Sequence, residues 1–164
     1  MVCSFTGHRT ITAAHEPNIR SLIARAVEFA YNEGCRVFQS GGALGFDQLA
    51  AREVISFRIS HPDAKLVMIL PCLDQTKGWS DSQIDAYEYI LKVADSVEYV
   101  SEEYTADCMK KRNYRLAETC DILVGYIGRT RSGSAQTMRF VQEMGKKVYN
   151  LYPTLAKMVE NQAP

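Results

Sequence analysis

The sequence predicts one α/β domain, a doubly wound and mainly parallel sheet of about six strands with helices on both faces. Three observations carry this expectation. Short apolar runs alternate with segments of helical period along all 164 residues, which is how strands joined by crossover helices read. At 46% apolar residues the chain can bury a sizeable core. Its length fits a single domain over 1–164, and no internal repeat, low-complexity tract or linker-like Pro/Gly/Ser stretch divides it.

Val2 to Thr6 reads as the first strand and ends at Gly7. Pro17 suits the first turn of a helix. Ile19, Leu22, Ile23, Ala26, Val27 and Ala30 then form one helical stripe, closed by Gly34 at a C′ position. Arg36 to Ser40 is a second strand that runs straight into a glycine turn. From Gly45 a helix sets Leu49, Ala50, Val54 and Phe57 on one side. Lys65 to Leu70 is the third strand, stopped by Pro71. A long connection holding Trp79 leads to a helix from about Ser82, with Ile84, Tyr87, Ile90, Leu91 and Ala94 inward.

Ser96 to Val100 makes a fourth, weaker strand. Asp107 is expected to cap the next helix, in which Met109, Leu116 and Cys120 are core contacts. Asp121 to Tyr126 is a strong strand around the apolar centre Ile122-Leu123-Val124. Ser134 is expected to cap a helix carrying Met138, Val141 and Met144, ended by Gly145. Lys147 to Leu151 is the last strand, and the tail from Pro153 reads as a short helix or a frayed end. The outcome is a Rossmann-like doubly wound sheet.

Bulk properties narrow the function classes. With 19 basic and 19 acidic side chains the formal net charge is zero, which argues against a surface built wholly for nucleic acid and leaves room for a local basic patch. The start, Met1-Val2-Cys3-Ser4-Phe5, has no basic segment followed by a long apolar one, so the expectation is a cytoplasmic protein. The longest apolar run, Leu66 to Leu70, is too short for a membrane span. Cysteines 3, 35, 72, 108 and 120 include no Cys-x-x-Cys pair and read as free thiols of a reducing compartment. Histidines 8, 15 and 61 share no helical face, so no metal site is expected.

In doubly wound sheets ligands bind outside the carboxyl ends of the strands, near the switch in strand order. Among the loops this nominates, Ser40-Gly41-Gly42-Ala43-Leu44-Gly45-Phe46-Asp47 is the strongest signal. Its glycines allow a tight turn and a close backbone approach to an anion, and the helix that follows offers unpaired N–H groups. Asp47 either stabilises the helix start or meets the sugar or base of a ligand, since a carboxylate beside a bound phosphate would repel it. The spacing is neither the dinucleotide Gly-x-Gly-x-x-Gly nor a P-loop.

A second anion-holding pattern is Arg129-Thr130-Arg131-Ser132-Gly133-Ser134, followed by Thr137. Gly7, His8 and Arg9 close the first strand, where they either meet a phosphate or serve the fold. Lys110 to Arg115 has the make-up of a solvated face, apart from Asn113, whose amide can read a base or ribose if it points into the cleft. Trp79 either lies buried under its loop or stacks on a base.

On these segments the chain resembles the SLOG superfamily of Rossmann-like proteins, which includes DprA, the YpsA-like proteins and the LOG phosphoribohydrolases. Ser40 to Asp47 with Leu49-Ala50-Ala51 looks like that family's first glycine motif. Ser132-Gly133-Ser134 with Thr137, then Glu143 to Tyr149, looks like the second, DprA-type motif. Pro71, Gln75, Lys77, Trp79 and Asn113 look most like the YpsA-like branch. The resemblance implies a nucleotide-derived ligand or, as in DprA, single-stranded DNA. LOG hydrolases carry an acidic pair just after the second glycine turn, where this chain has Ala135-Gln136-Thr137.

Three functional readings follow. The first is a sensor or regulatory module for a nucleotide or ADP-ribose-like ligand, with no further cofactor, held by Gly7, His8, Arg9, Ser40, Gly41, Gly42, Gly45, Asp47, Trp79, Asn113, Gly133, Ser134 and Thr137. The second is a nucleotide N-glycosidase, an enzyme with Asp47 as its catalytic acid/base group. The third is a DprA-like single-stranded DNA binder using Lys110, Lys111, Arg112, Arg129 and Arg131, which the zero net charge and the lack of an added DNA-recognition domain disfavour. A homo-oligomer is compatible with all three.

Overall fold

The computed structural model describes residues 1–163. Strands β1 (Val2–Gly7), β2 (Val37–Ser40), β3 (Lys65–Leu70), β4 (Ser96–Tyr99), β5 (Ile122–Tyr126) and β6 (Lys147–Asn150) alternate with helices α1 (Glu16–Asn32), α2 (Phe46–Phe57), α3 (Asp81–Val93), α4 (Cys108–Thr119), α5 (Gly133–Glu143) and α6 (Tyr152–Gln162). Among the described residues these strands form one sheet of order β4-β3-β2-β1-β5-β6. Every pair is parallel. The chain steps outward from β1 to β4, then returns through α4 to β5 on the far side of β1. The switch in strand order therefore lies between β1 and β5, where a crevice opens at the strands' carboxyl ends.

The two faces are unequal. Against one lie α1, α2, α3 and the first half of α6, which close over Phe5, Phe38, Leu66, Met68 and Tyr126. Ile19, Ile23, Val27 and Ala30 are the buried stripe of α1, each large aliphatic side chain worth roughly 1.5–3 kcal/mol of transfer free energy. On the other face α4 and α5 enclose the smaller cluster of Ala117, Cys120, Leu123 and Val141. All five cysteines are buried free thiols. Among the described residues no helix is long and apolar enough to cross a membrane.

Two helix caps depart from expectation. Helix α3 begins at Asp81, beside the expected start near Ser82, where Ser80 and Gln83 form a reciprocal capping box. Asp107 precedes α4 but caps nothing; its carboxylate instead accepts from Thr105 Oγ1 at 2.9 Å and faces Lys111. Ser134 lies inside α5, and the cap is Ser132, whose Oγ accepts from the Ala135 amide at 3.1 Å. The tail from Tyr152 is a full helix of 11 residues, seated by Leu155 in the main core.

Candidate functional site

A cavity of about 290 Å³ opens at the switch point, between the ends of β1 and β5 and the starts of α2, α4 and α5. Gly7, His8 and Arg9 enter it from β1, Asp47 from α2 and Asn113 from α4. Gly133 and Ser134 enter it from α5. Seven of the thirteen residues nominated from sequence thus meet on one wall-to-wall space. Ser40, Gly41 and Gly42 stand behind it, Gly45 lines a neighbouring groove, and Trp79 lines an adjoining cavity. Thr137 is fully buried, with its hydroxyl closed onto the Gly133 carbonyl at 3.1 Å.

The first glycine turn is wired inward. Gly42 and Gly45 take φ of +70° and +82°, a region open mainly to glycine. A Cβ on Gly45 would lie 2.5 Å from the Arg9 carbonyl carbon, and one on Gly42 would press on Leu70 at 3.0 Å. The amide of Gly42 donates to Ser40 Oγ, that of Ala43 to Asp47 Oδ2 and that of Phe46 to the His8 carbonyl. Its carbonyls are also engaged: Gln48 donates to Gly42 O at 3.1 Å and Arg112 to Gly41 O at 2.7 Å. Three of the turn's amides and two of its carbonyls are thus taken up by the protein itself.

Behind this turn sit two opposite charges. Asp47 is only 4% exposed, and burial pushes its carboxyl up to about 6, with Arg112 and the Ala43 amide acting against that rise. Its Oδ1 has no hydrogen-bond partner. Arg112, 6% exposed, flanks Gly41 on the same side. Burial lowers its pKa while Asp47 opposes the change, and a guanidinium stays protonated throughout. Arg112 Nε also donates to Asn113 Oδ1 at 3.0 Å, and Asn113 Nδ2 passes the chain of bonds on to Gly133 O at 3.2 Å. One arginine therefore ties the first turn to the second. The Lys110–Arg115 run concealed it, yet Cys108, Arg112 and Leu116 recur every fourth residue on the buried face of α4, which is a helical core stripe.

The second turn faces outward. Residues 128–131 are exposed, and among the described residues neither Arg129 nor Arg131 joins an ion pair. Ser132 satisfies Ala135, so the amides of Gly133 and Ser134 remain as the open donors of the first helical turn. Arg129 lines the same cavity as these amides, as does Arg9.

His8 fixes the relation of the two halves. Its Nε2 accepts the Gly128 amide at 2.7 Å, which leaves the proton on Nδ1, 3.4 Å from Ser134 Oγ. Burial and the charge of Arg129 lower its pKa. In this tautomer His8 donates to Ser134 and cannot take its proton, so the pair orients a hydroxyl and does not generate a nucleophile.

Beside this space lies a second cavity of about 410 Å³, lined by Gln75, Trp79 and Tyr104 and sharing Arg9 and Met109 with the first. Trp79 is half-buried, meets Tyr87 edge-on at 5.2 Å and lines this second cavity.

Comparison with known proteins places these features in a wider set. A family model described as the YspA SLOG family matches residues 8–155. A UPF0398 protein of Bacillus thuringiensis (strain Al Hakam) is 27% identical over 131 residues, covering 79% of this chain and 70% of that protein. DNA processing protein A of Helicobacter pylori, described for its single-stranded DNA binding mode, superposes with a TM-score of 0.64 at 21% identity over 100% of this chain and 74% of its own. The Streptococcus pneumoniae DprA gives 0.63 at 17% identity over 98% of this chain, which spans 56% of that structure. At these identities the structural likeness establishes a shared fold.

Proposed function

The chain belongs to the YspA SLOG family, and from that footing we propose that it binds a phosphate-bearing, nucleotide-like ligand at the β1/β5 switch point as a sensing or regulatory module. One observation carries the reading: open amides at Gly133 and Ser134, with Arg9 and Arg129, line the same cavity as a buried carboxylate whose Oδ1 lacks a partner. The first group suits an anion. The second gives the same cavity a polar edge that suits the sugar of such a ligand. A phosphorylated sugar carries both features. The phosphate belongs at the second turn and the sugar at Asp47, because a carboxylate and a phosphate repel at close range.

Hydrolysis of an N-glycosidic bond is the second reading, favoured by one fact: a cavity carboxyl that titrates near 6 is tuned for proton transfer. It has no companion carboxylate among the residues lining the cavity. Single-stranded DNA, the ligand named for the Helicobacter relative, fits less well, since Arg112 is buried and Lys111 faces Asp107. Calorimetry with ribose 5-phosphate, ADP-ribose and nucleoside monophosphates tests the binding reading. Saturable heats from at least one of them are expected, and silence from all would end it. Chromatography of the same mixtures for free base separates binder from enzyme.

A further inference from the structure

A groove of about 440 Å³ lies between the first turns of α1 and α2, beside the loop that follows β1. Of its lining it shares only Arg9 and Thr10 with the cavity at the switch point. Both helices are crossovers on the same face of a parallel sheet, so they run in the same direction and start at the same level. Glu16, Ile19 and Arg20 line the groove from α1, and Gln48, Leu49 and Arg52 line it from α2. Residues three and four apart share a helix face. Each helix therefore sets an acceptor near its start, an aliphatic side chain beside it and a guanidinium one turn further on. Four residues span about 6 Å along a helix axis. The groove is thus dipolar, with acceptors toward one end, arginines toward the other and an apolar floor between them.

Groups at both ends are open. Among the described residues neither Arg52 nor Glu16 joins an ion pair, whereas Arg20 is held by Glu53 at 3.0 Å. Gln48 is 8% exposed, and its Nε2 donates to the Gly42 carbonyl at 3.1 Å. A carbonyl can only accept, so this bond fixes which way the amide points. Gln48 Oε1 is then the end left over. It is not enclosed, since the enclosed side-chain atoms without a partner among the described residues are Asp47 Oδ1 and Gln75 Oε1. The space that Gln48 lines is this groove. An anion alone would use Arg52 and leave Glu16 and Gln48 idle, and an amine alone would do the reverse. Neither would need Ile11, Ile19 and Leu49, the aliphatic part of the lining.

We propose that this groove binds a free amino acid with an apolar side chain: its carboxylate accepts from Arg52, its ammonium donates to Glu16 and to Gln48 Oε1, and its side chain packs on Ile11, Ile19 and Leu49. Neither Arg52 nor Glu16 lines the switch-point cavity, so this seat is independent of the one proposed above.

Calorimetry on the full chain with L-leucine, L-methionine and L-phenylalanine tests this, and saturable heats from at least one are expected. For leucine the matched controls are 4-methylpentanoate, which lacks the ammonium, and 3-methylbutylamine, which lacks the carboxylate. Each should bind at least about tenfold more weakly than the amino acid, the worth of one charge-assisted contact. Arg52→Gln and Glu16→Gln, both at exposed positions, should each weaken the amino acid by a similar factor and leave ribose 5-phosphate unchanged. Silence from all three amino acids would overturn the proposal, as would equal affinity for leucine and either control. Two variants that bind as the native protein does would overturn it as well. Amino-acid heats without any response to phosphate compounds would uphold this seat while the switch-point reading fails.

Discussion

The two glycine turns of this protein look alike in sequence and are built for opposite ends. The turn after β2 is largely buried, three of its amides and two of its carbonyls are met by its own neighbours, and a carboxylate and a guanidinium lie behind it. The turn after β5 is exposed, keeps two helix-start amides open and carries arginines without ion-pair partners. Glycine before a helix thus has two meanings. Where the missing Cβ makes room for the protein's own backbone, the glycine serves the fold; where it lies at a cavity, as Gly133 does, it leaves helix-start amides open toward that space.

Three substitutions sharpen or break that contrast. The largest effect belongs to Gly45→Val, which must force a β-branched side chain into a positive φ and onto the Arg9 carbonyl. A loss of about 3–5 kcal/mol in chemical denaturation is expected, and a variant of near-native stability would show that the first turn is not structural.

Asp47 comes next, through pH. Its folded pKa lies at about 6 against a reference of 3.8, so the folded state holds the proton more tightly than the unfolded chain. Stability is then greatest where Asp47 is protonated, declines as pH rises from about 4 to about 6, and is flat above, a change of about 3 kcal/mol. Subtracting the profile of Asp47→Asn from that of the native protein should isolate this slope. A difference that is flat, or rises with pH, would contradict the buried, under-paired carboxylate.

The smallest change in stability is expected from Arg129→Ala, within about 0.5 kcal/mol because the side chain is exposed. Its affinity for ribose 5-phosphate should nevertheless fall several-fold, in a salt-dependent manner, as one charge-assisted contact is lost. Loss of stability without loss of affinity would reverse the roles assigned to the two turns.

Much of the fold was legible in the chain, since six short apolar runs separated by helical stripes leave few other arrangements for a parallel sheet. Strand bounds moved by a residue or so at Arg36, Val100 and Leu151. The caps were less legible: Ser132 and Ser134 both have the right chemistry, and only the backbone's point of entry into α5 decides between them. Of the site, Gly7 to Arg9, Asp47, Gly133 and Ser134 were nominated by their place at the strands' carboxyl ends and the helix starts that follow, and Asn113 as the uncharged amide within a charged helical run. Arg112 did not, because composition masks a single inward residue within a charged run. Nor could sequence separate a glycine that lines the cavity from one that faces Leu70 and Tyr87, as Gly42 does; that distinction exists only in three dimensions.

The return of α4 across the sheet has a consequence for how the molecule is assembled. The bond from Arg112 to Gly41 spans 71 residues, and that from Gly128 to His8 spans 120. Contacts of such separation close late, after the cost of looping the chain has been met. The crevice at the switch point therefore takes its opposing walls from segments far apart along the chain, and neither wall is complete until both halves of the sheet have come together.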